Sequence, residues 1–113
     1  MKTILITGAL GGIGRALTES FLDKGCNVII NYSNEKKAED FRKKLGERYD
    51  MNRSLFFKAD VSKFYEVEKM FEAAKEKFGQ IDCLINCASI NKDAYIRDMD
   101  AQMFQNVIDV NLV

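Results

Sequence analysis

Four short apolar runs recur along this 113-residue chain, at 2–7, 27–31, 54–59 and 81–86, and each is followed by a longer segment whose apolar residues step by three and four. Runs this short read as buried strands, and the longer segments as amphipathic helices. The first helix is expected over 12–24, with Ile13, Ala16, Leu17, Ser20 and Phe21 on one face and Gly25 as its stop. The second is expected over 35–49, strongly charged outside and carrying Ala38, Phe41, Leu45 and Tyr49 inside. In the third, Phe64, Val67, Phe71, Ala74 and Phe78 form the inner stripe before Gly79. Residues 89–98 read as loop, and a last helix, with Phe104, Val107 and Ile108 apolar, runs from near Asp100 to Val113. Strands joined by helices of this length must be parallel, with right-handed crossovers. The expectation is a doubly wound parallel α/β sheet in the order 3-2-1-4, forming one domain over 1–113. Strand four would then be an open edge, and the last helix ends without a C-cap signal, so the chain reads as the front portion of a longer unit.

Composition removes several classes of function. Seventeen Lys and Arg balance seventeen Asp and Glu, so no basic surplus points to nucleic acid. No apolar run approaches the roughly 18 residues that would span a membrane, and the apolar start is too short for a signal peptide. There is no His, which excludes Ser-His-Asp and Cys-His catalysis within these residues. Cys26, Cys83 and Cys87 include no Cys-x-x-Cys pair and read as reduced thiols of a cytoplasmic protein. Cys83 and Cys87 fall on one face of their strand, where small apolar packing outweighs redox chemistry.

The chemical signal is Thr7-Gly8-Ala9-Leu10-Gly11-Gly12-Ile13-Gly14, lying between the first strand and the first helix. Gly8 permits a tight turn, Gly12 a close backbone approach to a pyrophosphate, and Gly14 close packing of helix on strand. The helix N-terminus adds free N–H groups and a positive dipole end. A glycine loop without function is the plain alternative, but a complete strand-turn-helix-strand unit of the right length favours nucleotide binding. With no Gly-Lys-Ser/Thr, it is not an ATPase-type phosphate loop.

The spacing at 7–14 resembles the signature of the short-chain dehydrogenase/reductase family, a Rossmann-type fold. Three more segments match in order: Asp60-Val61 after the third strand, Asn86-Cys87-Ala88-Ser89 at the end of the fourth, and Asn111 within Asp109-Val110-Asn111-Leu112. Residues 90–93 look most like β-ketoacyl-acyl-carrier-protein and acetoacetyl-CoA reductases. The resemblance implies hydride transfer between a nicotinamide and a carbonyl or alcohol carbon. It also implies a cofactor site of Gly8, Gly11, Gly12, Ile13, Gly14, Tyr32, Ser33, Asp60, Val61, Asn86, Cys87 and Ala88. Asp60 would accept from the adenine amino group, although Asp60 or Ser62 could equally cap the third helix. Asn111 would bend the fourth helix and hold a water of the catalytic proton relay, against the plain alternative of an amide near a helix end.

Two departures limit the match. Ser89 stands where the family usually has Gly, and the family's Ser and Tyr-x-x-x-Lys, which lie downstream in the family, are not found: Tyr32, Tyr49, Tyr65 and Tyr95 all stand at the wrong places, although Lys36 and Lys69 do follow Tyr32 and Tyr65 at the fourth position, and Tyr49 has Arg53 there. The isolated piece is therefore expected to be inactive. After the second strand, Asn31-Tyr32-Ser33-Asn34 offers hydroxyl and amide donors that could hold a 2′-phosphate and no acid to repel one, so NADP is expected over NAD, although Gly11 replaces the basic residue many NADP-preferring members carry. The expected partners are the dinucleotide, a small carbonyl or acyl-thioester substrate and, by resemblance, further copies of the chain, with neither nucleic acid nor membrane. The competing reading is a non-catalytic nucleotide-binding module of the same fold. A methyltransferase is disfavoured by the glycine spacing.

Overall fold

The computed structural model describes residues 1–87 and the strand residues 110–112. In chain order the elements are β1 (Thr3–Thr7), α1 (Gly12–Asp23), β2 (Asn27–Tyr32), α2 (Glu35–Gly46), β3 (Ser54–Lys58), α3 (Phe64–Phe78), β4 (Cys83–Asn86) and β5 (Val110–Leu112). The sheet order is β3-β2-β1-β4-β5. The pairings among β1 to β4 are all parallel, which gives the expected 3-2-1-4 core of a doubly wound sheet.

The end of the chain departs from expectation. Val110–Leu112 is not helical but pairs antiparallel with β4, with Asn111 opposite Leu84. The exposed edge of β4 presents unpaired N–H and C=O groups, and a short segment led by a β-branched residue satisfies them. Strand four is therefore not an open edge. The loop expected at 89–98 and the start of the last helix near Asp100 lie outside the described residues.

The central strand β1 is buried along its whole length and divides the core in two. Ile4 and Ile6 face Val28, Ile30 and Ile85, and are covered by Leu22 of α1 and by Phe41 and Leu45 of α2. Leu5 and Ile29 face the other way, under Met70 and Ala74 of α3. Full burial of one such aliphatic side chain contributes about 1.5–3 kcal/mol. Phe56 and Phe57, adjacent on the edge strand β3, take opposite faces and are only half-buried.

Helix α1 sits rotated from the face expected of it. Its buried residues are Gly14, Thr18 and Leu22, whereas Ala16 and Ser20 are exposed. The cause is steric. A Cβ at position 14 would lie 2.5 Å from Ala9 Cα, so the helix closes on the turn that follows β1 at a residue that lacks a side chain. Thr18 is buried with its hydroxyl donating to Gly14 O at 2.8 Å. Arg53, from a 3-10 turn over Met51–Arg53, closes the far end by donating to Leu22 O and Cys26 O.

Two smaller corrections follow from packing. Helix α2 ends at Gly46 rather than 49, and Tyr49 instead sits in the next turn, its hydroxyl donating to Asp23 Oδ1 at 2.7 Å. In α3, Phe64 is 79% exposed and is not core, while Met70 is fully buried in the stripe.

Gly14→Ala is expected to lower the unfolding free energy by about 1–3 kcal/mol through overpacking. Gly12→Ala, with nothing within 4 Å of the added Cβ, is expected to change it by less than about 1 kcal/mol. Urea denaturation of both variants checks this, and equal losses would contradict the steric assignment.

Candidate functional site

The glycine turn is built from the end of β1 and secured by the end of β2. Gly8 takes φ 60, a left-handed conformation that glycine reaches without a Cβ penalty. Its N–H donates to Asn31 Oδ1 at 3.0 Å, and the next N–H, of Ala9, donates to the Asn31 carbonyl at 2.9 Å. Asn31 is 2% exposed. Its amide also donates to Ala59 O at 3.1 Å and Phe57 O at 3.4 Å. One buried side chain thus ties the turn to the ends of β2 and β3. Buried polar groups are tolerated when satisfied in this way. Asn31 was read from the sequence as a possible ligand donor; it serves the fold instead.

Gly11 is the N-cap of α1, and among the described residues no side chain hydrogen-bonds to the helix start, nor does the first turn hold an acid. A Cβ at Gly11 or Gly12 would meet nothing within 4 Å. No packing within the described chain calls for glycine at either position. The four orphan N–H groups of a helix start need partners, and here the described residues supply no side-chain cap.

Three clefts run along the carboxyl ends of the strands, where open α/β sheets hold ligands at the point of strand-order reversal. The first, about 190 Å³, lies between the glycine turn and Ser33, Asn34 and Lys37. The second, about 250 Å³, shares Gly8, Tyr32 and Ser33 with it and continues to Asp60 and Val61. The third, about 200 Å³, reaches from Val61 to Thr7 and Asn86. Gly8, Gly11, Tyr32, Ser33, Asp60, Val61 and Asn86 are thereby gathered along one edge, while Gly14 faces the sheet and Ile13 is half-buried against the core. Lys37 joins this edge although its sequence position did not single it out. The signal was available, since it lies one helical turn beyond Ser33.

Asp60 caps the turn before α3 rather than the helix itself. Its Oδ1 accepts from the Ser62 hydroxyl at 2.6 Å and the Ser62 N–H at 2.9 Å. The N-cap is Lys63, without a side-chain bond, so neither Asp60 nor Ser62 caps α3. Those two bonds from Ser62, the hydroxyl first, hold the Asp60 carboxyl below its usual range, so it stays ionised and accepting through neutral pH. Tyr32 is buried, and desolvation followed by a hydrogen bond with Glu35 raises its hydroxyl above the ordinary value.

At the end of β4, the Thr7 hydroxyl donates to Asn86 Oδ1 at 2.8 Å, and the Cys87 N–H to Thr7 O at 3.1 Å. Cys87 is 5% exposed, in the same cluster that Cys83 packs against, which bears out their shared face. Burial pushes the Cys87 thiol up to about 11. Ala88 lies outside the described residues. For Asn111 only the strand position opposite Leu84 is described, not the helical setting the resemblance implies. Among the described residues, no group of His, Cys, Asp or Glu could hold a metal ion, and no helix is long and apolar enough to cross a membrane.

The short chain dehydrogenase family model matches residues 2–113. The chain is 37% identical over 112 residues to a 3-oxoacyl-[acyl-carrier-protein] reductase of Staphylococcus epidermidis, covering 98% of this chain and 45% of that protein. It is 35% identical over 114 residues to an acetoacetyl-CoA reductase of Allochromatium vinosum, again covering 98% and 45%. Among solved structures, a glucose/ribitol-type short-chain dehydrogenase/reductase of Brucella melitensis superposes with a TM-score of 0.73 at 33% identity, over 95% of this chain and 44% of that one. The chain thus spans less than half the length of these relatives.

Two outcomes are expected from the site's polar and thiol groups. Asn31→Ala leaves the Gly8 N–H without its side-chain acceptor and should cost about 1–3 kcal/mol, read as a fall in melting temperature; an unchanged value would remove Asn31 from its tying role. Cys87, protonated until pH approaches about 11, should resist iodoacetamide at pH 8 in the folded protein and react readily in urea, as peptide mass mapping would report.

Proposed function

The chain belongs to the short-chain dehydrogenase family, and from that footing we propose that it carries the dinucleotide-holding part of a reductase that uses NADP in preference to NAD. The observation that carries the reading is the start of α1, which has no side-chain cap and no first-turn acid, with open space over Gly11 and Gly12. A pyrophosphate supplies the acceptors that this helix start lacks. When bound, the nicotinamide supplies the hydride.

The chain's own residues would bind and orient. Gly8, Gly11, Gly12, Ile13 and Gly14 form the turn and helix start beneath the pyrophosphate. Tyr32 and Ser33 border the adenosine ribose, and Asp60 and Val61 take the adenine, the ionised Asp60 accepting from its amino group. Asn86, Cys87 and Ala88 border the nicotinamide half. The buried, high-pKa Cys87 contributes shape rather than nucleophilic chemistry.

A carbonyl of 3-oxoacyl-thioester type is the proposed substrate, supported by relatives described as 3-oxoacyl-[acyl-carrier-protein] and acetoacetyl-CoA reductases. The proton donor would lie outside these 113 residues, whose two Tyr-x-x-x-Lys spacings, at Tyr32 and Tyr65, fall at the end of β2 and at the start of α3, upstream of the place where the family carries its pair. Asn111 is the one relay residue that the resemblance assigns to the chain. Its strand position opposite Leu84 gives that role no support, so the reading stands on the glycine turn. A cytoplasmic homo-oligomer with neither nucleic-acid nor membrane partners completes the proposal.

Gly12→Val should leave the melting temperature within a few degrees and weaken NADPH binding at least about tenfold, because a branched side chain fills the space over the helix start. Nucleotide fluorescence titration measures it, and unaltered binding would refute the placement of the pyrophosphate. The 113-residue stretch alone should bind NADPH without oxidising it in the presence of acetoacetyl-CoA; steady turnover would place a proton donor inside it. Binding without turnover by the protein expressed from its whole reading frame would instead favour the non-catalytic module.

A further inference from the structure

The glycine turn has a second tie besides Asn31. The Arg15 Nε–H donates to Leu10 O at 2.9 Å, reaching back from near the start of α1. Leu10 borders the first cleft together with Gly8 and Gly11. Its carbonyl belongs to the peptide that joins it to Gly11. That unit is planar and trans, so the Leu10 C=O and the Gly11 N–H point in opposite directions, and fixing one fixes the other. A carbonyl free to turn would bring its negative end toward an anion at the helix start. Bonded to Arg15, it is held in one direction, and a concavity lined by N–H groups is what an anion needs.

The guanidinium that makes this bond is itself held by α2. It lies over the Phe41 ring, 4.8 Å from the centroid, and pairs with Asp40 at 3.7 Å. Three quarters of the side chain is covered, since only 26% of it is exposed. Arg15 borders none of the three clefts at the strand ends, and its charge is matched by Asp40. Helix α2 also provides the far wall of the first cleft, through its N-cap Asn34 and through Lys37 in its first turn. One side chain outside the cleft therefore binds the turn on one wall to the helix that forms the other.

We infer that Arg15 is a positioning residue for the dinucleotide, its Nε–H holding the Leu10–Gly11 peptide so that the carbonyl is kept from the pyrophosphate and N–H groups are presented to it. This rests on the dinucleotide reading above and adds the side chain that keeps the turn in its binding shape. Arginine suits the task because its planar fork donates from Nε while its other N–H groups and its face serve Asp40 and Phe41.

Fluorescence titrations with NADPH and NADH test this on the protein expressed from its whole reading frame, with melting temperatures measured in parallel. At position 15, glutamine keeps an N–H donor at the ε position and drops the charge, whereas methionine keeps the length and drops both. Arg15→Met should weaken NADPH and NADH alike, each about tenfold, because the pyrophosphate is common to the two. Arg15→Gln should keep both affinities within about threefold, as a neutral hydrogen bond replaces a charged one. Lys44→Ala, which removes the other partner of Asp40, should leave both unchanged. Equal losses for the glutamine and methionine variants, a loss confined to NADPH, or no loss with methionine overturns the assignment of Arg15. Should Arg15→Met fail to fold, Arg15→Gln decides alone, and a tenfold loss there overturns it. A folded wild-type protein that binds neither nucleotide overturns the dinucleotide reading itself, and this assignment with it.

Discussion

Helix α1 closes on the turn that follows β1 through Gly14, where any Cβ would run into the backbone of Ala9. The rest of the arrangement follows from that approach. It brings the start of the helix down to the level of the β1 carboxyl end, so that the turn from Gly8 to Gly11 is short and nearly all backbone. It also rotates the helix so that Thr18 and Leu22 face inward, leaving Ile13 and Leu17 half-buried at the core's margin. A helix held a few ångströms farther out would need a longer connection and would lift its N–H groups away from the strand ends where the clefts lie.

The two ends of the sheet are finished in different ways. At the amino end, polar groups close on one another: Asp82 Oδ2 accepts from the Thr3 N–H at 2.7 Å and from Gln80 at 3.0 Å, and the Asp82 N–H returns a bond to Thr3 O at 2.9 Å. That Thr3 N–H, first, and then Gln80 hold the Asp82 carboxyl below its ordinary value. At the carboxyl end, the bonds instead hold an opening in shape. Asn31 spans the turn and two strand ends from beneath, and Thr7 joins Asn86 from β1 to β4. Such bonds cost little when all are made, and they keep the ends of four strands in register around an edge that stays accessible.

The parallel core was legible in the sequence because strand runs and helical stripes alternate without interruption, and because Gly25 and Gly79 mark the helix ends with positive φ. The glycine turn was legible as a motif. Less legible was anything decided by which face of an element turns inward. Ala16 and Ser20 looked like core by spacing, but the close approach at Gly14 overrode the apolar stripe. Phe64 matched the period of α3 yet opens its first turn, where its ring is left in water. Asn31 read as a ligand donor because nothing local reveals that its amide faces Ala59, 28 residues away. Lys37 was missed because its cleft is assembled from three separate stretches of chain. The strand at 110–112 was hidden by a helical spacing just before it, and it answers to the unpaired edge of β4 rather than to its own residues.

The bonds that join β1 to β4 also bear on how the chain reaches this state. Thr3 to Asp82, and Thr7 to Asn86, each connect residues 79 positions apart, whereas the Gly8 to Asn31 bond spans only 23. The first strand, its helix and the second strand can organise within a small loop, but the fourth strand must await closure of one several times longer, whose entropic cost is met before any of its contacts form. The edge that gathers Asn86 beside the glycine turn is therefore the last part of the described sheet to have a reason to exist during folding. Until β4 arrives, one side of the strand that carries the turn is left without its partner.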